Sequence, residues 1–283
     1  MQLTVSRDAE NLQKALLELA QAGRRVALVP TMGALHAGHM SLIRLGLELA
    51  DAVVVSIFVN PKQFGPNEDF ARYPRMLEAD LRKVEEAGAA VAYAPSVEDL
   101  YPQGFDSSVS AGELGRILEG ASRPGHFDGV ATVVTKLLLR TLPHIAIFGE
   151  KDYQQLCVIR RVVADLDIPV EIIGAPTLRA PDGLAMSSRN GYLSSEERQL
   201  APKLYETLTH VGSAISKNEL PVAKALAAGV AQLTSLGYKV DYLELRDEDS
   251  LQPIERFKDS ARLLVAAKLG NTRLIDNIVI LSS

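Results

Sequence analysis

The chain has 283 residues, is 47% hydrophobic and 23% charged, and carries a net charge of −5. That length suits one large or two modest domains, and its 30 basic residues are spread without the clustering that displaces counterions, so no nucleic-acid partner is expected. No stretch reaches the ~18 consecutive apolar residues of a membrane span, so no membrane partner is expected, and the single cysteine excludes an internal disulfide or a multi-cysteine zinc site.

The N-terminus places Asp8 and Glu10 where a secretory signal would be basic and then apolar. Leu12, Leu16 and Leu19 share a helical face, so a cytoplasmic protein opening on an amphipathic helix is expected. Residues 25–29 then read as a buried strand, followed by a glycine-containing turn and a helix over 38–50. A β-branched run at 52–59 is a second strand, 77–87 a helix ended by Gly88, and 91–94 a short strand. A helix over 129–140 leads to a strand at 145–148, and a helix over 153–166 leads to a strand at 170–173. Cys157, among Leu156, Val158 and Ile159, reads as a small core residue. Strands alternating with helices predict an α/β fold with a doubly wound, mostly parallel, Rossmann-like sheet over residues 1–175.

The pattern changes near residue 175, and the boundary is expected between Gly174 and Asp182, where Pro176, Pro181 and Gly183 cluster. Ser194 and Glu197 have the spacing of a capping box and should start a long helix towards Ser216. Pro221 begins a second helix to about residue 236, and strands follow at 240–245, 261–267 and 273–279. A smaller α+β domain over 176–283 is the expectation.

Three segments carry chemistry. His36-Ala37-Gly38-His39 follows a strand and opens a helix, where backbone N–H groups and the helix dipole attract phosphate; Gly38 permits close approach, Gly33 relieves the turn, and the imidazoles can donate to phosphate oxygens. Met186-Ser187-Ser188-Arg189-Asn190 offers two hydroxyls and a guanidinium to a triphosphate and its leaving pyrophosphate, although alone such a loop is usually a solvated turn. Gly149-Glu150-Lys151-Asp152 follows a strand, so Lys151 can meet phosphate and Asp152 a ribose hydroxyl or a metal-bound water. The segment from Phe58 through Asn60 and Gln63 to Phe64 follows another strand and falls on the same sheet edge. His126 reads as a loop residue beside a helix capped by Asp128 rather than a substrate contact, and His144 and His210 as structural or exposed. An ATP-using ligase, a nucleotidyltransferase acting on a phosphorylated cofactor precursor and a non-catalytic nucleotide-binding module all remain open on these residues.

The H-x-G-H segment with a distant Ser-Ser-Arg resembles the paired signature of the class I aminoacyl-tRNA synthetase and nucleotidyltransferase superfamily. Within it, PTMGALHAGHMSLI, VSIFVNPKQF, GHFDGVATVV, FGEKDYQQL and MSSRNGYLS, in this order between residues 30 and 195, resemble the pantothenate synthetase (pantoate–β-alanine ligase) family. The resemblance implies that ATP and pantoate give pantoyl adenylate and pyrophosphate, after which β-alanine gives pantothenate and AMP. It implies catalytic roles for His39 (a proton donor), His36, Lys151 and Arg189. It places ATP against Met32, Gly33, Ala34, Leu35, His36, Ala37, Gly38, His39, Gly149, Glu150, Lys151, Asp152, Leu178, Met186, Ser187, Ser188 and Arg189. Gln63 and Gln155 would hold pantoate, with Asn60 and Tyr73 behind them. Mg2+ is implied, held mainly by phosphate oxygens and water; Asp80 matches an acidic position that assists, but Ala79 stands where some members have an acid, so no protein-ligated metal is expected. A homodimer through the first domain, and a second domain that closes over ATP, are implied as well. The Ser-Ser-Arg motif lacks the lysine that synthetases place on the phosphates, so Arg189 and Lys151 would share that charge.

Overall fold

The computed structural model describes residues 2–66 and 68–282. The chain divides into two compact units, Met1–Glu150 with Gln155–Pro176, and Lys151–Gln154 with Thr177–Ser283. Among the described residues no helix is long and apolar enough to cross a membrane.

The first unit is a six-stranded parallel sheet of β1 (Thr4–Ser6), β2 (Val26–Thr31), β3 (Ala52–Ile57), β4 (Val91–Tyr93), β5 (Ile145–Gly149) and β6 (Glu171–Ala175), in the order β1-β4-β3-β2-β5-β6. The central strands read as near-continuous apolar runs, VALVPT and AVVVSI, because helices cover both faces of a parallel sheet. The core gathers Ala27, Val29, Ile43, Val53, Val55 and Ile147 between the sheet and the Ala37–Leu49 helix. From β2 the chain moves outward through β3 to β4, then returns to build β5 and β6 on the other side. Strand order therefore reverses between β2 and β5, and the carboxyl end of the sheet there is where doubly wound folds hold ligands.

The second unit packs the helices Lys203–Ser216 and Val222–Ser235 against an antiparallel sheet of β7 (Tyr238–Arg246), β8 (Ser260–Leu269) and β9 (Thr272–Leu281), with β8 central. Leu204, Leu208, Leu233, Leu243, Leu263 and Val265 form its core. The parallel sheet with a smaller α+β unit is the fold class that the alternating pattern predicts.

Three local expectations need correction. The strand β1 was not anticipated: it has three residues, only one of them buried, so its alternation is too short to register. The helix expected from 129 begins at His126, so Asp128 is not its cap; Gly125 at φ +80° is, and Asp128 lies in the first turn with Oδ1 accepting from Ala111 N at 2.7 Å. The long helix towards Ser216 is two, Ser195–Leu200 and Lys203–Ser216, because Pro202 has no N–H with which to continue the ladder. Its predicted cap is present: Glu197 N donates to Ser194 Oγ at 3.2 Å and Ser194 N to Glu197 Oε2 at 2.8 Å.

Candidate functional site

The loop that follows β2 is shaped by its main chain. Gly33 and Ala34 take φ of +82° and +50°, a left-handed pair that glycine adopts readily and alanine only at a cost of about 1 kcal/mol. The buried carboxylate of Asp80, in the Leu77–Glu86 helix, holds this turn: Oδ2 accepts from Ala34 N and Oδ1 from Leu35 N, both at 2.8 Å. One turn further along that helix, Lys83 Nζ donates to Leu35 O at 2.6 Å. A Cβ at Gly33 would lie 3.0 Å from Asp80 Oδ2, a tight fit that adds to the demand its φ already makes for glycine. Both oxygens of Asp80 thus serve the loop, each accepting from one of its backbone amides.

His36 ends the turn as the N-cap of the Ala37–Leu49 helix, and the two histidines cap each other. His36 Nδ1 accepts from Gly38 N at 3.1 Å, and His39 Nδ1 accepts from His36 N at 3.3 Å, with the ring centroids 4.1 Å apart. An imidazole nitrogen that accepts carries no hydrogen, so each ring proton sits on Nε2, which is then a donor. The sequence reading gave the histidines a ligand-facing role; the structure adds that Nδ1 of each builds the helix start.

The turn after β3 is shaped by side chains. Asn60 is 1% exposed and uses its whole amide: Nδ2 donates to Gln63 Oε1 at 3.0 Å and Gly129 O at 3.1 Å, while Oδ1 accepts from Lys62 N at 3.2 Å and Tyr101 OH at 2.9 Å. Burial pushes the Tyr101 phenol up, which keeps its proton in place as that donor. Gln63 Nε2 reaches back to Met32 Sδ at 3.2 Å, so the structure brings together one residue expected at ATP and one expected at pantoate. Tyr73 is buried and stands edge-on to Phe64, with centroids 5.8 Å apart.

The main chain of Gln63 is held from the His126–Thr141 helix. His126 Nδ1 meets Gln63 O at 2.8 Å, and its Nε2 meets Arg123 Nη1 at 3.0 Å. Arg123 in turn grips Glu68 through two bonds of 2.7 and 2.6 Å. Burial, reinforced by the Arg123 charge, pushes His126 down to about 4, so the ring is neutral near pH 7. Burial alone would raise the Glu68 carboxyl, but the hydrogen bonds and charge of Arg123 hold it below the usual carboxylate range. Sequence reasoning missed Arg123, Glu68 and Gly129; the glycine three residues after His126 was the available signal.

Gly149 and Glu150 close β5 in the first unit, and Gln155 is half-buried in the first turn of the Tyr153–Asp165 helix. The remaining candidates lie in the second unit. Lys151 Nζ lies 3.7 Å from Asp152 Oδ1, and its carbonyl accepts from Asn277 Nδ2 at 2.9 Å. Leu178 and Met186 are paired across a short hairpin through Met186 N to Leu178 O at 2.9 Å. Ser187 caps the helical turn Ser188–Tyr192 by accepting from Arg189 N at 3.3 Å, and Asn190 Nδ2 donates to Ala185 O. This hairpin is clamped by a residue the sequence did not single out: Arg179 forks onto the buried Asp276 at 2.6 and 2.9 Å and stacks over Tyr205 at 3.6 Å. His144 is structural, as expected, with Nδ1 accepting from Val26 N, and His210 is exposed.

A family model described as pantoate-beta-alanine ligase matches residues 4–279. A pantothenate synthetase of Paramagnetospirillum magneticum is 57% identical over 257 residues, 90% of this chain and 90% of the relative. One of Rhodospirillum rubrum is 54% identical over 98% of each chain. The crystal structure of pantothenate synthetase from Thermus thermophilus superposes with a TM-score of 0.92 at 46% identity, covering 97% of this chain and 98% of that one. That of a pantoate-beta-alanine ligase from Francisella tularensis, complexed with beta-gamma ATP and beta-alanine, gives 0.82 at 37% identity, covering 98% and 97%.

Proposed function

The chain belongs to the pantoate–β-alanine ligase family, and on that premise we propose how its residues divide the ATP-dependent joining of pantoate to β-alanine. The substrate carboxylate attacks the α-phosphorus, forming a C–O–P linkage as the bond to pyrophosphate breaks. The β-alanine amine then attacks the acyl carbon, forming the amide as the bond to AMP breaks and the amine gives up a proton. Neither step needs a protein nucleophile, so the protein's part is orientation and stabilisation of charge.

The observation that carries the reading is the mutual cap of His36 and His39 at a helix N-terminus beside the sheet's switch point, with Gln63 tied to Met32 of the same loop. In this reading the two Nε2–H groups donate to phosphate oxygens, and His39 is the donor that matters most as charge builds at phosphorus. Met32 to His39, Gly149 to Asp152, Leu178 and Met186 to Arg189 bind ATP, Lys151 and Arg189 neutralise the departing pyrophosphate, and Gln63 and Gln155 orient pantoate. Among the described residues no three His, Cys, Asp or Glu side chains are arranged to hold a metal ion, and Asp80 is engaged by two amides. A protein-built magnesium site therefore does not fit; magnesium enters as part of the ATP substrate, on phosphate oxygens and water.

A homodimer, a cytoplasmic site of action and closure of the second unit over ATP complete the proposal. They are supported by the resemblance. A light-scattering mass of one chain would remove the dimer, and unchanged small-angle scattering on adding an ATP analogue would remove a large closure. The decisive assay is AMP release from ATP, magnesium, pantoate and β-alanine. Release dependent on both organic substrates is expected, and release unaffected by omitting pantoate would overturn the assignment.

A further inference from the structure

Gln63 presents an amide of which half is already committed: Oε1 accepts from Asn60 and Nε2 donates to Met32 Sδ. One lone pair and one N–H remain, a donor–acceptor pair suited to a hydroxyl and carboxylate. Its usefulness depends on where the peptide carries it, and the structure fixes that peptide from a distant helix. A backbone carbonyl can only accept, so the contact between His126 Nδ1 and Gln63 O requires the ring hydrogen on Nδ1. Nε2 is then the acceptor for Arg123 Nη1, and Arg123 is itself fixed by its fork onto Glu68. Every donor and acceptor in this chain has one direction, so the imidazole has one tautomer and one orientation.

The other side of the same peptide is fixed by contact. A Cβ at Gly129 would lie 2.2 Å from Lys62 O, 2.5 Å from Lys62 C and 2.7 Å from Gln63 N, so the helix presses its bare backbone against the 62–63 peptide. Gly129 O meanwhile accepts from Asn60, whose amide has nothing left to offer a ligand. Asn60 and Gly129 thus set the side-chain end and the near face of the turn, and His126 sets its carbonyl.

We propose that His126 is a positioning residue for the acid substrate: through the main-chain carbonyl of Gln63 it sets where the Gln63 amide meets pantoate, and Arg123 with Glu68 selects the tautomer that can do so. This rests on the reading of Gln63 as a pantoate-binding residue. It differs from a merely structural role, which would lower stability or move all kinetic constants together.

Two near-isosteric variants separate these roles in the full-length enzyme. His126→Asn keeps an N–H donor at the Nδ1 position and gives up Nε2, whereas His126→Gln carries its donor out to the Nε2 position and leaves the carbonyl only the long 3.5 Å contact from Arg123 Nη2. Steady-state assays of AMP release with each substrate varied, alongside melting temperatures, are the measurement. His126→Gln is expected to raise KM for pantoate about tenfold with KM for ATP nearly unchanged, the scale of one lost hydrogen bond. His126→Asn should restore most of that affinity. Arg123→Met, which removes the partner of Nε2 together with the long 3.5 Å contact of Nη2 to Gln63 O, should raise KM for pantoate about threefold, and it decides the matter if His126→Gln does not fold. Equal behaviour of the Asn and Gln variants, parallel rises for ATP and pantoate, or no effect of Arg123→Met would overturn the role. Gln63→Ala keeps the two failures apart. An unchanged pantoate KM there removes the reading of Gln63 itself. A raised one with His126→Gln unaltered removes only the role of His126.

Discussion

The two loops at neighbouring strand ends of the first unit reach order by opposite means. After β2, the turn from Met32 to His39 is a main-chain object: two left-handed residues, backbone amides gathered onto one carboxylate, and two histidines that cap each other within four positions. After β3, the turn from Asn60 to Gln63 is a side-chain object, in which one saturated amide holds another and the histidine of a remote helix holds the peptide. The first presents N–H groups whose directions come from φ and ψ, which suits a polyanion met by many donors. The second presents a single amide aimed by its supports, which suits discrimination of a small polar acid. The difference teaches that damage to each loop should register on a different substrate.

The comparison breaks hardest at its ends. Removing the donor from the first loop with His39→Ala should lower kcat by about a hundredfold or more, the usual loss of a preorganised donor to a transition state. A circular-dichroism-normal mutant with near-wild-type turnover would make His39 a capping residue alone. Gly129→Ala drives a methyl into the 62–63 peptide and should destabilise the protein by about 3 kcal/mol in chemical denaturation, with KM for pantoate raised and KM for ATP little changed. Asp80→Asn is its counterpart in the first loop. An amide group offers one acceptor where two are used, so one loop N–H is left facing another donor, at about 1–3 kcal/mol. There KM for ATP should rise and KM for pantoate should not. If both variants moved both constants equally, the two loops would be one structural block and the contrast would fail.

What the sequence disclosed follows the same line. The β2 loop was legible because its parts are neighbours: apolar strand, Gly33, His36, Gly38 and His39 lie within a few residues, and periodicity with turn chemistry is a local signal. The parallel sheet was legible for the same reason, strand by strand apart from the three-residue β1. Partners that the sheet order chooses were not. Asp80 meets Ala34 across 46 positions, Arg123 meets Glu68 across 55, and Arg179 meets Asp276 across 97. Nothing in the sequence near either member marks the other. His126 shows the cost of local reading most plainly, since the segment Gly125–Val130 suggested a capped loop, while the structure makes it the first turn of a helix whose Gly129 backbone touches the 62–63 peptide. The break at Pro202 was visible in the sequence and was outweighed by the capping box before it.

The smallest effect concerns the proton that His126 excludes. In the unfolded chain its imidazole titrates near the ordinary value of 6.5, and in the folded protein near about 4. Between these values the unfolded state holds the extra proton, so stability falls as pH drops. The contribution is complete above about 6.5 and is lost progressively down to about 4, with roughly 1 kcal/mol gone at pH 6. Arg123, Glu68 and Glu119, the charged groups that act on the ring, all remain in His126→Asn. The gap in unfolding free energy between wild type and His126→Asn should therefore shift by about 1 kcal/mol against the wild type from pH 7.5 to pH 6, read from urea melts at the two values. A constant gap would mean that the folded protein takes up the proton as readily as the unfolded chain. The directed chain from Glu68 to Gln63 would then not hold the ring to one protonation state, and the side-chain loop would be looser than its main-chain neighbour.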